Sequence, residues 1–186
     1  MIKLLVVVND SASSLWAVRH AAFLYREGSV SEIVLLNVQR PIEYGRASAY
    51  HSLAELRERE RRAGEAVLAG ACEILADSGV KYVAQIGIGT PVKTILDAAQ
   101  ACRCDGIVLG VSAWSRLLAL AGAGIPASIM RRSRVPVTLV NAPMGAQVPV
   151  ELRMLRPGVG RPHPALVVYP AGVQPDLLIA NPMRRS

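Results

Sequence analysis

Three short clusters of polar and glycine residues stand where apolar runs of the sequence end. Amide, carboxyl and hydroxyl groups can hydrogen-bond a ligand, and a glycine lets its backbone N–H approach an anion closely. These positions therefore predict a binding site that uses side-chain polar groups and backbone N–H groups together. The clusters are Asn9-Asp10-Ser11, Gly87-Ile88-Gly89 and Gly110-Val111-Ser112.

The residue types that usually perform catalysis are not spaced for it. Ser11 and Ser13 lack the glycine-flanked turn that exposes a nucleophile, and no carboxylates are paired at strand ends for acid–base work. The histidines are far apart in sequence and show no metal-ligand spacing: His20, His51 and His163. The sequence predicts no catalytic residue and no metal site.

The three cysteines predict neither a disulfide framework nor a zinc site. Their number is odd, and Cys102-Arg103-Cys104 is spaced too closely for a zinc knuckle. We interpret this pair as two small residues that end a helix, and we expect a reducing, cytoplasmic location.

Apolar runs of strand length alternate with segments of helical periodicity along the first 140 residues. This alternation predicts βαβ units and a parallel sheet, whose ligands bind at the carboxyl ends of the strands. The predicted strands are residues 2–8, 32–38, 80–86, 106–110 and 135–140. The first predicted helix ends at Gly28, and the other three span residues 52–77, 91–101 and 125–132.

Capping residues predict the helix ends. Ser13 or Ser14 is expected to cap the first helix, Gly28 and Gly79 to end the first two, and Thr90 to precede the third. The long second helix is expected to bury one stripe of its surface. That stripe comprises Leu56, Ala63, Val67, Ala71, Ile74 and Leu75.

Composition favours an aliphatic core and argues against a membrane or nucleic-acid partner. Hydrophobic residues make up 52% of the chain but aromatic residues only 4%, which is typical of a parallel sheet buried under helices. The longest apolar run, residues 117–130, has 14 residues, whereas a spanning helix needs about 20. The net charge is +7, but the basic residues are scattered and no aromatic residues interleave with them.

An ordered set of motifs resembles the universal stress proteins over about residues 2–141. The motifs are Asn9-Asp10-Ser11 after the first strand, Ser14-Leu15-Trp16-Ala17, Gly89-Thr90-Pro91 before the third helix, Asp105-Gly106-Ile107-Val108-Leu109-Gly110, and Val135-Pro136-Val137-Thr138-Leu139-Val140. The resemblance implies an α/β fold of the adenine nucleotide alpha-hydrolase-like, Rossmann-like type. This fold is a five-stranded parallel open sheet with helices on both faces.

The resemblance also implies a role and an assembly. A domain over residues 1–141 would act as a non-catalytic stress-response or signalling protein, through an unknown protein partner. It would form a homodimer edge to edge through the last strand, residues 135–140, because an apolar sheet edge needs cover.

The phosphate-binding motif of the family is altered in this chain. ATP-binding members carry Gly-x-x-Gly, nine residues, then Gly and Ser or Thr; here those positions hold Gly110, Ala113, Ala123 and Gly124. The family's adenine-facing aspartate falls on Asn9. Two readings stay open: the loop packs as an apolar plug and no cofactor binds, or the chain is an ATP or ADP sensor with at most slow hydrolysis. The expected pocket residues are Asn9, Asp10, Ser11, Val38, Ile88, Gly110, Ser112, Ala113, Ala123 and Gly124.

A proline-rich C-terminal extension, residues 142–186, follows the domain. It contains eight of the twelve prolines, which cannot sustain a helix. Residues 165–169 and 177–179 are expected to form short strands or packing arms. We expect the tail to fold over the sheet, or over a dimer mate, through Val167, Val168 and Leu178.

Overall fold

A computed structural model describes residues 2–41, 52–112 and 120–142, together with the backbone of 167–169; of Leu53 it describes the backbone alone. All strand pairs of the sheet are parallel. The strands are β1 (Lys3–Val7), β2 (Glu32–Gln39), β3 (Tyr82–Ile88), β4 (Gly106–Val111), β5 (Val137–Asn141) and β6 (Val167–Tyr169). The helices are α1 (Ala12–Arg26), α2 (Leu53–Asp77), α3 (Pro91–Ala101) and α4 (Gly124–Arg132).

The strand order β5-β4-β1-β2-β3-β6 reverses direction between β3 and β4. The chain moves outward from β1 through β2 to β3, and then returns to place β4 on the other side of β1. Helices that follow neighbouring strands in opposite directions leave a crevice at such a point. The crevice here lies above the carboxyl ends of β1 and β4, where Val7 is aligned with Leu109.

Helices cover both faces of the sheet, as the sequence predicts. On one face α1 and α2 pack over side chains such as Val6, Leu35 and Ile86. On the other face α3 and α4 pack over Leu5, Leu36 and Ile107. The cores are almost wholly aliphatic, and their burial is the main term that stabilises this arrangement.

The five strands expected from the sequence are present, and a sixth is added at one edge. Gln85 of β3 pairs with Val167, and Gly87 pairs with Tyr169. The short tail segment 167–169 therefore lies on the sheet, in agreement with the expected packing arm. Residues 177–179 and Leu178 lie outside the described residues.

Two strands, β3 and β5, are displaced from the expected ranges 80–86 and 135–140, and the other three differ by a single residue at one end or both. β3 continues to Ile88, so Gly87 and Ile88 belong to the strand and pair with β2 instead of forming a loop. β5 runs from Val137 to Asn141, because Pro136 cannot donate a ladder hydrogen bond and marks its start.

Three helices end in the same backbone motif, but only two of them with glycine. Gly28 and Gly79 have φ values of +76° and +64°, and the N–H groups around each donate back into the last turn of α1 and α2. At the end of α3 the equivalent position is Arg103, at φ 51°. Its N–H donates to Gln100 O and that of Cys104 to Ala99 O, as in a Schellman motif.

The expected helix caps are partly wrong. α1 begins one residue after Ser11, which is its N-cap, so Ser13 and Ser14 lie inside the first turn. Thr90 does precede α3, with Pro91 at the first position, but its hydroxyl makes no capping hydrogen bond. α2 begins with a capping box: Ser52 Oγ accepts from Glu55 N, and a Glu55 carboxylate oxygen accepts from Ser52 N.

The buried stripe of α2 includes Leu56, Ala71 and Leu75 as expected, with Val67 and Ile74 half-buried, and differs at one expected position. Ala63 is exposed, whereas Gly64 and Leu68 are buried. A Cβ at Gly64 would stand 2.7 Å from the Ile86 Cδ1 atom, so the missing side chain lets β3 approach the helix. The sequence does not reveal this because glycine is a poor marker of a buried helix face.

Candidate functional site

The first part of the candidate site is a hydrogen-bonded turn between β1 and α1. The side-chain oxygen of Asn9 accepts from the Ser11 N–H at 3.0 Å and from the Ser11 hydroxyl at 2.5 Å. Ser11 Oγ also lies 2.9 Å from Ser13 Oγ. Asn9 and Asp10 are exposed at this edge of the sheet. The Asn9 oxygen is therefore occupied within the turn, and its Nδ2 donor is the group left to meet a ligand.

Ser14 holds the start of α1 through hydrogen bonds to the backbone of the preceding turn. Its side chain is buried, and its hydroxyl lies 2.7 Å from Asn9 O and 2.8 Å from Ser11 O, with the hydroxyl as the donor. The single hydroxyl proton serves one of these two carbonyl oxygens at a time, and Ser11 O also accepts from the Ser14 N–H. Sequence reasoning assigned Ser14 only as an alternative helix cap; its actual role is to hold the turn that presents Asn9 and Asp10.

Gly110 lies where α1 crosses the end of β4. An added Cβ would stand 2.2 Å from Ser13 O and 2.6 Å from Ser14 Cα, both of them backbone atoms. No side chain fits in that space, so the glycine is required for packing of the helix against the strand. The structure thus brings Gly110 together with the Asn9–Ser11 turn, as the sequence predicts.

Two amide side chains missed by sequence reasoning lie behind the turn. Asn37 is buried, and its Nδ2 donates to Val8 O at 2.8 Å, while its Oδ1 accepts from Gln39 Nε2 at 2.7 Å. A buried amide is costly unless it is hydrogen-bonded. These hydrogen bonds through Asn37 therefore join the ends of β1 and β2. The sequence signal that could have predicted this buried amide was an asparagine within an apolar run of strand length.

Val38 and Ile88 lie progressively farther from the crevice. Val38 is on β2 and is half-buried against the α3 side of the core. Ile88 is on β3, three strand positions from β4, or about 14 Å at ~4.8 Å per strand. Ile88 is therefore separated from Gly110 by two intervening strands, β1 and β2.

The second half of the altered motif lies at the start of α4. Ala123 is the N-cap, and its methyl side chain supplies no capping bond. Gly124 follows with φ +85°, a conformation that strains any β-branched side chain. The family motif has a hydroxyl residue there, so the backbone of this loop suits glycine instead. Ser112 is exposed after β4, and Ala113 lies outside the described residues.

The arrangement offers hydrogen bonding but no metal centre. Among the described residues, no group of three or more His, Cys, Asp or Glu side chains could hold a metal ion. Hydroxyl and amide groups dominate the Asn9–Ser14 turn. Such groups can bind a polar ligand or a partner backbone, and they lack a placed acid–base pair.

Cys102 and Cys104 end α3 at the opposite edge of the sheet. Cys102 is the C-cap and is half-buried, whereas Cys104 is buried. The Cys102 sulfur lies 3.4 Å from Gln85 Nε2. A hydrogen bond from Cys104, the Gln85 contact and the charge of Lys3 lower the pKa of Cys102 to about 6, against the effect of burial.

We expect Cys102 to be the most rapidly alkylated thiol of the chain. Since the thiolate is the nucleophile and its pKa is lowered, its alkylation rate should reach half its maximum near pH 6. Burial raises the pKa of Cys72, which should react slowly at pH 7. Peptide mass spectrometry after iodoacetamide pulses measures both rates. Cys104→Ala removes the hydrogen-bond donor and should move the Cys102 profile towards pH 9; an unmoved profile would contradict this explanation.

Comparison with known proteins identifies the fold. The sequence model of the universal stress protein family matches residues 1–141. No curated protein sequence matches the chain significantly.

Solved structures with this fold cover most of the chain. Universal stress protein UspA from Lactobacillus plantarum is 22% identical, with a TM-score of 0.60, covering 75% of this chain and 97% of that protein. A family protein from Arabidopsis thaliana with AMP bound is 22% identical, with a TM-score of 0.52, over 76% and 92% of the two chains. A universal stress protein in complex with cAMP is 23% identical, with a TM-score of 0.56, over 75% and 96%.

Proposed function

This chain belongs to the universal stress protein family, and from that premise we propose that it is a non-catalytic stress-response or signalling protein. It acts as a homodimer and works through contacts with a protein partner. The proposal places dimerisation at β5 and partner contact at surfaces that the dimer leaves open. Within the described residues, no helix is both long enough and apolar enough to cross a membrane.

The observation that carries the proposal is the edge of the sheet at β5. β5 is the terminal strand beside β4, so its outer backbone groups have no strand partner in the described chain. Its apolar side chains Val137, Leu139 and Val140 are only half-buried. An apolar edge of this kind favours pairing with another strand, and a second copy of the same strand provides closed two-fold symmetry.

The altered loop supports a role without nucleotide. Gly110 is explained by its contact with α1, and Gly124 occupies a left-handed conformation where the family has a hydroxyl residue. Asn9 has its oxygen engaged by Ser11 and offers a donor where an aspartate would offer only acceptors. Gly110 is retained, whereas Asn9 and Gly124 depart from the family's adenine-nucleotide site.

Sedimentation velocity of the full chain tests the proposal. A dimer at micromolar concentration and physiological salt is expected, with no hydrolysis of ATP above the buffer rate. A monomer throughout the micromolar range would overturn the homodimer, and stoichiometric turnover that survives further purification would overturn the non-catalytic role.

The alternative function is an adenine-nucleotide sensor. Two structures of similar fold contain AMP or cAMP, and this chain keeps the crevice above β1 and β4. The first turns of α1 and α4 still present N–H groups at the carboxyl edge of the sheet. Slow hydrolysis is the most that such a site would support.

We expect calorimetry with ATP and ADP on nucleotide-stripped protein to show no binding that survives physiological salt. The chain carries a net charge of +7, so weak attraction of nucleotide at low salt is expected from charge alone. Micromolar affinity at 0.15 M salt, lowered by Ser112→Asp, would instead establish the sensor. Arg57→Gln on α2 is the control, because it lowers the net charge by the same one unit away from the crevice.

A further inference from the structure

A cleft of about 330 Å³ opens at the amino edge of the sheet, between the C-terminal ends of α3 and α4. Three arginines line it, together with the neutral polar residues Gln100 and Ser133: Arg103, Arg132 and Arg134. α3 and α4 both run from the carboxyl edge to this edge. The cleft is therefore on the far side of the molecule from the Asn9–Gly110 turn.

The positive charge of this arginine cleft is not neutralised by the described part of the chain. No carboxylate is among its lining residues. Arg61, Arg62, Lys3 and Lys93 each form an ion pair elsewhere, whereas Arg103, Arg132 and Arg134 form none within residues 2–41, 52–112 and 120–142. Arginine near a helix C-terminus interacts favourably with the helix dipole, which accounts for Arg132 but not for three arginines converging on one cleft.

Arg103 carries an independent signal. It occupies the left-handed position after α3, where α1 and α2 have Gly28 and Gly79. A non-glycine side chain in that conformation costs stability, so the same motif is more stable with glycine. The strained backbone directs an arginine towards the cleft, and strain retained in this way points to a role for the side chain.

We propose that the arginine cleft binds a small phosphate ester. Guanidinium groups bind phosphate oxygens through paired, charge-assisted hydrogen bonds, and three of them match the two or more negative charges of such a ligand. The Gln100 amide and Ser133 hydroxyl add neutral hydrogen-bonding partners. The cleft volume lies at the lower end of the range for small-molecule sites, about 300–1,000 Å³.

Inorganic pyrophosphate is the probe for a direct test on the full-length chain. Calorimetry at 0.15 M salt should show saturable binding with a dissociation constant below about 1 mM. The double variant Arg103→Gly/Arg134→Gln should weaken it at least about tenfold, because two charge-assisted contacts are lost. The control Arg26→Gln/Arg57→Gln removes the same charge at exposed positions outside the cleft and should leave affinity within about twofold.

Backbone amide NMR identifies where the probe binds. Shifts on titration should centre on Cys104, Ser133 and Val135, and the amides of Ser11 and Gly110 should not move. Shifts centred on the latter two would assign the probe to the candidate nucleotide site and overturn the proposal, as would equal weakening by both double variants. Thermal unfolding of the double variant should show a folded chain, since glycine suits the left-handed backbone at position 103. No saturable binding by wild type at physiological salt also overturns it.

Discussion

Gly110→Ala is expected to lower the melting temperature by about 6–12 °C. The added methyl group would stand 2.2 Å from Ser13 O and 2.4 Å from Ser13 C, which are backbone atoms at the start of α1. Overpacking of this kind costs about 3 kcal/mol, and a domain of 150–250 residues loses about 2–4 °C per kcal/mol. Differential scanning calorimetry of the full chain measures the change.

Gly28→Ala is the matched control for Gly110→Ala. Gly28 has a left-handed φ of +76° but nothing within 4 Å of the added Cβ, so only backbone strain is introduced. That strain costs about 1–2 kcal/mol, and a smaller fall in melting temperature is expected. Equal falls for both variants would show that α1 accommodates the methyl group at position 110 at no greater cost than the backbone strain at position 28. The explanation of Gly110 by packing would then fail.

The stability of the Gly110→Ala variant also affects what Gly110 implies about the phosphate-binding motif. If Gly110 is required for folding, its presence cannot indicate a phosphate ligand. A large loss of stability in a protein that binds no nucleotide would assign the residue to the packing of α1 on β4. The nucleotide question then depends on the remaining motif positions, Ala113, Ala123 and Gly124.

Like charges at Thr138 are expected to dissociate the proposed homodimer. Thr138 is exposed on β5, so Thr138→Glu and Thr138→Lys should both fold normally. Because β5 has only five residues, a two-fold axis through the paired edge keeps each new charge within a few residues of its own copy. Repulsion should raise the dimer dissociation constant of either variant at least about tenfold at low salt, and less at high salt. Sedimentation equilibrium over a concentration series gives the constants.

Mixing the two variants provides the control for this experiment. An equimolar mixture pairs glutamate with lysine, so heterodimers should form with at least the wild-type affinity. Restoration by mixing excludes a folding defect, because each chain is unchanged. Dimers that persist in both single variants would place the interface away from β5. Monomers in the mixture would show that opposite charges at position 138 cannot replace the threonine side chain.

Much of the fold follows from local sequence patterns. Apolar runs of strand length between helical segments predict the parallel sheet, and Gly28, Gly79 and Pro91 locate helix ends because few other residues suit those backbone positions. These signals lie within a few residues of the feature they predict. The same local logic predicts the clustering of Asn9, Ser11 and Gly110, since the carboxyl ends of parallel strands share one edge.

Other features depend on contacts between residues distant in sequence. The N-cap of α1 is Ser11 instead of Ser13 or Ser14, and the backbone of Ser13 and Ser14 packs against Gly110 of β4. The buried face of α2 is set by Ile86 filling the space beside Gly64.

The sequence by itself determined the α/β class, the family and the strand-end cluster of polar residues, because local patterns carry that information. The tertiary structure alone decided that Ile88 lies two strands away from Gly110. It also showed that Gly110 serves packing and that three separated arginines share a cleft. Such features arise from long-range packing, in which a residue's neighbours are set by the whole fold rather than by adjacent residues.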